Sequence, residues 1–334
     1  MIEVIFHIGM GKTGTTSLQH ALQSSGDALQ AAGIRYMGMW QELISDQYSG
    51  YLGFQVFRQL PVDQQLAAAD RLAQQLRNLV SCDGIDRFLF SNEQYFENID
   101  NMHPFFERLR EHVTVRFFLW VRPVEGWLPS ACAQWGIVHK TNLGPIQPFV
   151  DQADRMIQQY RHVPTWTRLF GDSVMVRPFV DGVDPIADFA AQLGILLAVP
   201  QGRQQTRPDV TELVLRAAFN TQFNEMVLPD AFNAAMGRYQ PLTSSQGLSA
   251  KADLLLGRAV MPQIVAKHRD LLDRASDAAG FDVAGTARTQ EDFPSREDLT
   301  DLLLGRTIEI IAGQARDMAE MRARLDTLEA RLAE

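Results

Sequence analysis

Two kinds of apolar pattern alternate along the first half of the chain. Short, nearly continuous apolar runs predict β-strands that are buried on both faces, as the strands of parallel sheets are. These runs are residues 3–8, 34–37, 87–91, 113–121 and 173–178. The longer stretches between them, in which apolar and polar residues are mixed, predict helices. These stretches are residues 17–31, 62–79, 104–111, 127–135 and 148–168.

The alternation of strands and helices predicts the fold class. We expect an α/β protein with a parallel five-stranded sheet flanked by helices, similar to P-loop folds, with right-handed crossovers. In such sheets ligands bind beyond the carboxyl ends of the strands. Lys12, Glu93 and Arg122 each come just after a predicted strand, so we expect them to share one edge of the sheet.

After residue 178 the pattern becomes mostly helical, over residues 185–193, 209–223 and 250–278. A stretch rich in Gly, Asp and Thr predicts a linker over residues 281–294. Capping-type residues from Ser295 then precede an apolar run, which predicts a C-terminal helix over residues 295–334. We therefore expect an α/β domain over residues 1–280, followed by the linker and a helical C-terminal extension.

The end of this C-terminal helix has the alternating three- and four-residue apolar spacing of a coiled coil. The apolar positions are Met318, Met321, Leu325, Leu328 and Leu332, and the residues between them are largely charged. The pattern covers about two heptads, fewer than a coiled-coil assignment requires. Two interpretations stay open: an amphipathic helix folded on its own domain, or a homo-oligomer formed through residues 313–334.

A glycine-rich segment lies between the first predicted strand and the first predicted helix. It has the sequence GMGKTGTTS over residues 9–17. Such a turn directs backbone N–H groups and the positive end of the helix dipole at an anion. Its glycines allow positive φ and close backbone approach, Lys12 adds a charge, and the Thr and Ser hydroxyls add donors. The segment therefore predicts a phosphate-binding loop.

The loop departs from the usual nucleoside-triphosphate pattern, G-x-x-x-x-G-K-[ST]. The first glycine of that pattern would fall at position 6, which is Phe6. A triphosphate site also needs Mg²⁺, which is commonly held by an Asp at the end of another strand. Here the apolar run 113–121 is followed by Arg122, a cation. A P-loop kinase or NTPase stays an alternative, but Arg122 favours a second anionic group on the same ligand.

Residues 9–19 resemble the 5′-phosphosulfate loop of sulfotransferases. These enzymes take a sulfuryl group from PAPS (3′-phosphoadenosine 5′-phosphosulfate), release PAP and require no metal. The family's second signature, a strand ending in Arg with a Ser eight residues later, is matched by Arg122 and Ser130 and implies a site for the 3′-phosphate. The resemblance assigns donor binding to Gly9, Gly11, Lys12, Thr13, Gly14, Thr15, Thr16, Ser17, Arg122, Ser130 and, in a loop before a helix, Arg207.

Sulfuryl transfer places negative charge on the departing phosphate and needs a base for the acceptor's proton. Lys12 is the candidate for stabilising that charge. Glu93 is one candidate base, at the place where small-molecule sulfotransferases carry theirs, usually a His. Glu42 is the other, near the position of a Glu in the glycan and protein-tyrosine branches. The loop sequence together with a Glu base favours a carbohydrate acceptor, although any hydroxyl or amine would serve.

Composition and charge limit the binding partners and the cellular compartment that we expect for this protein. The chain has 31 basic and 40 acidic residues and a net charge of −9, which argues against a broad nucleic-acid surface. No apolar run approaches the about 18 residues of a membrane span, and no signal peptide is recognisable. With two cysteines and no metal-ligand spacing, we expect a cytoplasmic protein without a metal. A non-catalytic sulfotransferase-like protein that assembles through its tail stays a further alternative.

Overall fold

The computed structural model describes residues 1–180, 182–198, 210–236 and 260–285, residue 300 and several positions between 303 and 325. The chain divides into two compact units. The first unit comprises Met1–Trp127, Ile157–Thr206 and Val265–Thr286, and the second comprises Leu128–Met156, Arg207–Ile264 and Ala287–Glu334. The domain boundaries expected near residues 280 and 294 stay predictions.

The first unit is built on a parallel five-stranded sheet with the strand order β2-β3-β1-β4-β5. Its strands are β1 (Glu3–His7), β2 (Ile34–Tyr36), β3 (Arg87–Ser91), β4 (Thr114–Val121) and β5 (Val174–Pro178). The five predicted strands and the α/β fold class are confirmed. Because β1 pairs with both β3 and β4, it is the central strand. The segment that leaves β1 therefore emerges in the middle of the row of strand ends.

The sheet is accompanied by helices at most of the predicted places. The helices of the described residues are α1 (Thr15–Ser24), α2 (Gly26–Ala31), α3 (Gly50–Phe57), α4 (Val62–Asp83), α5 (Gln94–Glu97), α6 (Ile99–Arg110), α7 (Val124–Cys132), α8 (Phe149–Met156), α9 (His162–Phe170), α10 (Pro185–Leu193), α11 (Val210–Asn220), α12 (Pro229–Met236), α13 (Met261–Lys267) and α14 (Arg269–Ala279).

Some stretches that were predicted as single helices are divided. Residues 17–31 separate into α1 and α2 at Ser25, whose hydroxyl oxygen accepts a hydrogen bond from the Ala198 amide at 2.8 Å. This contact joins residues 173 positions apart, so the local apolar pattern does not reveal it. Residues 127–135 and 148–168 are also divided, the first between α7 and a π-helical segment (Ala133–Val138), the second among α8, a 3₁₀ segment (Ile157–Arg161) and α9.

Both faces of the sheet are buried, which explains why the strands are continuous apolar runs. On one face Phe6 stacks on Phe90 with ring centroids 5.2 Å apart, and Phe117 contacts Trp166 of α9 at 4.8 Å. Each fully buried side chain of this size contributes about 1.5–3 kcal/mol, so β1 is held firmly where the glycine-rich loop begins. The other face packs on α1 and α10 through Ile5, Leu18, Leu22, Phe118, Trp120 and Phe189.

The second unit has a smaller core of its own. Ile137 and Val138 of the π-helical segment pack against Leu213 of α11. The buried Lys140 forms an isolated antiparallel bridge with Val227. Its ammonium group donates to the carbonyl oxygens of residues 223 and 225, each at 2.7 Å, so this lysine joins two segments of the unit.

The described part of the predicted linker, residues 281–285, packs within the first unit. Val283 is buried, and its carbonyl oxygen accepts a hydrogen bond from the Val124 amide at 2.8 Å. Farther along, every described residue between 303 and 325 is helical. Within the described ranges, no helix is both long enough and apolar enough to cross a membrane.

Candidate functional site

Three loops of the first unit meet where the central strands end. Beyond β1 the chain remains hydrogen-bonded to β4. The Ile8 amide donates to the Phe118 carbonyl at 2.9 Å, and the Met10 amide donates to the Trp120 carbonyl at 3.2 Å. Past β3 the Asn92 amide donates to the His7 carbonyl at 3.0 Å. The segments that carry Lys12, Glu93 and Arg122 therefore leave the sheet side by side, as their positions after the strands predicted.

The loop after β1 has an unusual backbone. Lys12 has a φ of 68° and is the one non-glycine residue with positive φ in the described part of the chain. A side chain in this region costs about 1–3 kcal/mol, and such strain is concentrated at functional sites. The sequence predicted positive φ for the glycines of the loop, and the structure has it at Gly14, with φ of 77°, and at Lys12. The left-handed lysine is therefore a feature that the sequence did not predict.

Gly9, Gly11 and Gly14 have separate roles. A Cβ atom on Gly9 would lie 2.9 Å from the His7 Nε2 atom, so the backbone passes close over the imidazole. The Gly11 carbonyl oxygen accepts a hydrogen bond from the Trp127 indole at 2.9 Å. Gly14 precedes α1 with positive φ, and a Cβ there would lie 2.7 Å from Pro185. Gly9 and Gly14 thus allow close approaches that a side chain would prevent, whereas Gly11 makes its contact through the backbone carbonyl.

The hydroxyls of the loop divide into two groups. Thr13 is buried and donates to the Met10 carbonyl oxygen at 2.6 Å, which closes the turn. Thr15 is buried and hydrogen-bonds with the Glu93 side chain. Thr16 and Ser17 lie partly buried on the first turn of α1. The N-cap residue Gly14 has no side chain that could cap the helix, and the N–H groups of such a first turn are suited to an anion.

Glu93 lies directly beyond β3 and is partly buried. Its loop is fixed by the side chain of Asn92. The Nδ2 atom of Asn92 donates to the Met39 carbonyl at 3.0 Å, and its Oδ1 atom accepts from the Gln94 backbone amide at 2.9 Å. Burial raises the pKa of Glu93, while the Thr15 hydrogen bond and the positive charge of Lys12 oppose that rise. A carboxylate with a raised pKa is therefore within electrostatic reach of the loop lysine.

Arg122 lies beside the same loop. Its Nη1 atom donates to the Lys12 carbonyl oxygen at 3.3 Å, and its guanidinium carbon lies 5.7 Å from the centre of the Phe179 ring. Its backbone is anchored too, because the Tyr160 hydroxyl donates to the Arg122 carbonyl oxygen at 2.5 Å. Gly126 leaves room for the side chain, since a Cβ there would lie 3.0 Å from Nε. Arg122 is thus held at a defined position next to Lys12.

Three further residues were predicted for this site. Ser130 is buried on α7 and belongs to the second unit. Arg207 lies outside the described residues. Glu42, the second candidate base, is exposed in the segment after β2. Burial mainly, and the charge of Glu42 to a lesser degree, raises the pKa of Tyr95, so Glu42 lies near that hydroxyl. Of the two candidate bases, Glu93 is the one that contacts the loop.

His7 is a residue of this site that the sequence reasoning missed. It is fully buried beneath the loop, with Nδ1 2.8 Å from the Ser91 hydroxyl. Burial lowers the pKa of His7 to about 3, so the imidazole is neutral at physiological pH. Its Nε2 atom has no hydrogen-bond partner within the part of the chain that is described. Its position at the end of an apolar run was the available signal.

Phe179 was missed as well. It follows β5, and its amide donates to the Val121 carbonyl at 2.9 Å, which extends the pairing of β4 and β5 by one step. Its ring contacts the Arg122 guanidinium on one side and would lie 3.6 Å from a Cβ on Gly14. A single aromatic ring therefore lies against Arg122 and against the residue that precedes α1. Within the described ranges no group of three or more His, Cys, Asp or Glu is arranged to hold a metal ion.

Comparison with known proteins agrees with this geometry. Residues 4–181 match the family model of the sulfotransferase domain. The matched region is more than half of the 334-residue chain and contains Lys12, Glu93 and Arg122. No curated protein matches the chain.

Proposed function

The chain belongs to the sulfotransferase family, and from that premise we propose that it transfers a sulfuryl group from PAPS to a hydroxyl or amine of an acceptor. When bound, PAPS supplies the sulfuryl group, whose sulfur exchanges its bond to the 5′-phosphate oxygen for one to the acceptor atom. The observation that carries the proposal is the contact of Arg122 with the backbone of Lys12, 3.3 Å from Nη1 to the carbonyl oxygen.

The donor set fits a ligand with two separate anionic groups. The uncapped first turn of α1 and the Lys12 side chain are suited to the 5′-phosphosulfate. Arg122 presents a planar fork of donors to the 3′-phosphate, and its position against Phe179 and Gly126 limits the conformations it must lose on binding. A nucleoside triphosphate carries its phosphates in one run and uses Mg²⁺ to neutralise them. An arginine beside the loop therefore fits PAPS better than it fits a nucleoside triphosphate.

Lys12 is proposed to stabilise charge on the phosphate oxygen from which the sulfur departs. That oxygen becomes more negative as the bond breaks, so a fixed cation there lowers the energy of the transition state more than that of the ground state. The left-handed backbone of Lys12 fixes the direction in which the side chain leaves the loop. A strained backbone at this position is consistent with a functional role for the lysine side chain.

Glu93 is proposed as the general base. Its carboxylate accepts the proton that the acceptor hydroxyl or amine loses, and it holds that proton at the end of the step. The raised pKa brings the carboxyl group closer to neutral pH, where a base accepts a proton more readily. Thr15 hydrogen-bonds with the carboxylate, and the positive charge of Lys12 acts on it. Glu42 is the alternative base, and its variants serve as the comparison.

A carbohydrate is the acceptor that the surroundings of Glu93 favour. Gln94 follows the proposed base directly, and its side-chain oxygen accepts from Gln55 of α3 at 2.9 Å. Arg58 donates to the Gln55 oxygen and to the Asn98 oxygen, both at 2.6 Å. Amide and guanidinium groups in such a row are suited to the several hydroxyls of a sugar. A polyhydroxylated acceptor therefore has donors and acceptors next to the base.

The proposal is tested by assaying transfer from ³⁵S-labelled PAPS to panels of oligosaccharides, simple alcohols and amines. We expect labelled product with at least one oligosaccharide, together with an equal amount of PAP. Glu93→Gln should remove the activity, whereas Glu42→Gln should retain it. Label transfer from γ-labelled ATP, with none from PAPS, would identify a kinase instead. Binding of PAP without transfer to any acceptor would favour the non-catalytic alternative.

A further inference from the structure

The helical tail carries a row of exposed apolar residues, which we call the tail stripe. Leu304, Ile311, Met318 and Leu325 recur every seventh position, and Met321 lies three residues after one of them. All five lie on described helical residues, and 56–65% of each is exposed. Among the described residues, the stripe is therefore largely exposed. This exposure argues against the first of the two interpretations that the sequence left open, in which the C-terminal helix packs on its own domain.

The seven-residue period indicates which kind of partner would cover the tail stripe. A straight helix drifts by about 20° per heptad, so residues seven apart move slowly around its surface. They stay on one seam only when the helix supercoils around another helix. A helix lying on a globular surface would instead favour the 3.6-residue period. The repeat from Leu304 to Leu325 therefore fits a helical partner of matching period.

We propose that the partner is a second copy of this chain, and that two tails pair side by side as a parallel coiled coil. In a heptad labelled a to g, the tail stripe occupies the a positions and one d position. A second copy supplies the same stripe in the same register. Each seam residue then meets its own counterpart, which is the arrangement a two-fold dimer provides. This assembly is independent of the sulfuryl-transfer proposal.

The charges that flank the stripe specify the parallel orientation. In a parallel pair each g residue lies opposite the e residue five positions later in the other helix. Asp317 is a g residue and would lie opposite the partner's Arg322. This pair is of opposite sign, whereas antiparallel packing sets g against g and separates the two residues.

The pairing also gives Asp317 a basic neighbour, which the three- and four-residue spacings of its own helix do not provide. Helical side chains interact at spacings of three and four residues. The residues at those spacings from Asp317 are Gly313, Gln314, Glu320 and Met321, none of which is basic. A positively charged group five residues away on the partner is therefore its complementary contact in the dimer.

The mass of the full-length chain in solution tests the proposal. Light scattering at tens of micromolar is expected to give twice the chain mass of 37.5 kDa. Leu325→Lys should give the monomer mass, because it places a charge in the seam. Leu52→Lys is the matched control, since Leu52 is a leucine on α3 that is 78% exposed, and it should keep the dimer. A monomeric wild type, or a Leu325→Lys variant that stays dimeric, would overturn the proposal.

A charge exchange tests the orientation. Asp317→Arg and Arg322→Asp each place like charges across both sides of the seam. Each should raise the dimer dissociation constant about tenfold, as expected for exposed ion pairs that are replaced by repulsion. The double variant Asp317→Arg with Arg322→Asp restores opposite charges and should return the constant to near the wild-type value. A double variant as weak as the single ones would rule out the parallel register.

Discussion

The Arg122 guanidinium donates a hydrogen bond to the backbone carbonyl of Lys12 across 3.3 Å, although 110 positions separate the two residues in sequence. The contact joins the loop after β1 to the end of β4. It places the two cations that the sequence singled out at one edge of the sheet, next to each other. One ligand can therefore contact both residues, and the proposed PAPS site depends on this relationship.

Lys12 should be essential for rate and unfavourable for stability. Replacing it with Gly removes the ammonium group and also relieves the positive φ of 68°. We expect kcat to fall about 10²-fold or more, by analogy with the loss of one donor to a developing oxyanion. The melting temperature should be unchanged or higher. Lys267→Ala, at an exposed lysine on α13, is the control. Full activity of Lys12→Gly would remove this residue from the mechanism.

Arg122 should recognise the 3′-phosphate specifically. Arg122→Ala is expected to weaken PAP binding about 10- to 100-fold, which is the range for charge-assisted hydrogen bonds. Binding of adenosine 5′-monophosphate, which lacks that phosphate, should change little. Calorimetry with both nucleotides measures the difference, and Arg269→Ala, at a surface ion pair on α14, controls for net charge. Equal losses for the two nucleotides would show that Arg122 does not read the 3′-phosphate.

Gly126 should position Arg122. An added methyl group would lie 3.0 Å from Nε and 3.2 Å from Nη2 of the guanidinium, so Gly126→Ala must displace the side chain. We expect the KM for PAPS to rise several-fold with kcat nearly unchanged, while alanine favours the helix by about 1 kcal/mol. Gly26→Ala is the matched control, because a Cβ at that helical glycine meets nothing within 4 Å. An unaltered KM in Gly126→Ala would argue against a fixed guanidinium.

Glu93 should limit activity at low pH and reduce stability at neutral pH. Burial raises its pKa above the ordinary 4.5, so the folded state holds that proton more tightly than the unfolded state does. The stability it contributes is therefore present at pH below 4.5 and is lost as the pH rises through the folded pKa. Glu93→Gln should raise the melting temperature at pH 7.5 and leave it unchanged at pH 4.

The same variant has a kinetic signature. In the wild type kcat should fall as the pH drops through the raised pKa of Glu93, because a protonated carboxyl cannot accept the acceptor's proton. Glu93→Gln should lose this limb together with its activity. Glu42→Gln should keep both. The opposite result, with the acidic limb lost in Glu42→Gln, would assign the base to Glu42.

His7 should contribute to acid unfolding. Burial lowers its pKa from 6.5 to about 3, so between these values the unfolded state binds a proton that the folded state does not. The free energy of unfolding should then decrease by about 1.4 kcal/mol per pH unit on acidification from this residue alone. His7→Gln should remove that part of the slope in urea titrations from pH 6.5 to 4. His20→Gln, at an exposed histidine, should leave the slope unchanged.

The sequence was sufficient to predict the sheet and to predict that three candidate residues follow its strands at one edge. Neighbouring residues such as Phe117 and Phe118 pack on opposite faces, so a strand buried on both sides is a continuous apolar run that can be recognised directly. Lys12, Glu93 and Arg122 follow strands, and parallel topology brings strand ends to one edge. These predictions depended on local pattern and topology alone.

Other features required contacts between distant residues. The positive φ of Lys12 occurs in a loop whose Met10 amide is bound to the Trp120 carbonyl, and no local signal marks it. Phe179 is an ordinary aromatic residue in sequence and gains a role only because Arg122 lies over its ring. Similarly, Ser25, where α1 and α2 meet, accepts a hydrogen bond from Ala198, which lies far along the chain.

Calorimetric titration of the wild-type chain with PAP, and separately with ATP and Mg²⁺, tests the central claim most directly. We predict that PAP binds with one-to-one stoichiometry and more tightly than the Mg²⁺ complex of ATP, and that Lys12→Gly and Arg122→Ala each weaken it. Tighter binding of ATP with Mg²⁺, or PAP binding that neither substitution weakens, would contradict the assignment of both cations to one bisphosphorylated adenosine.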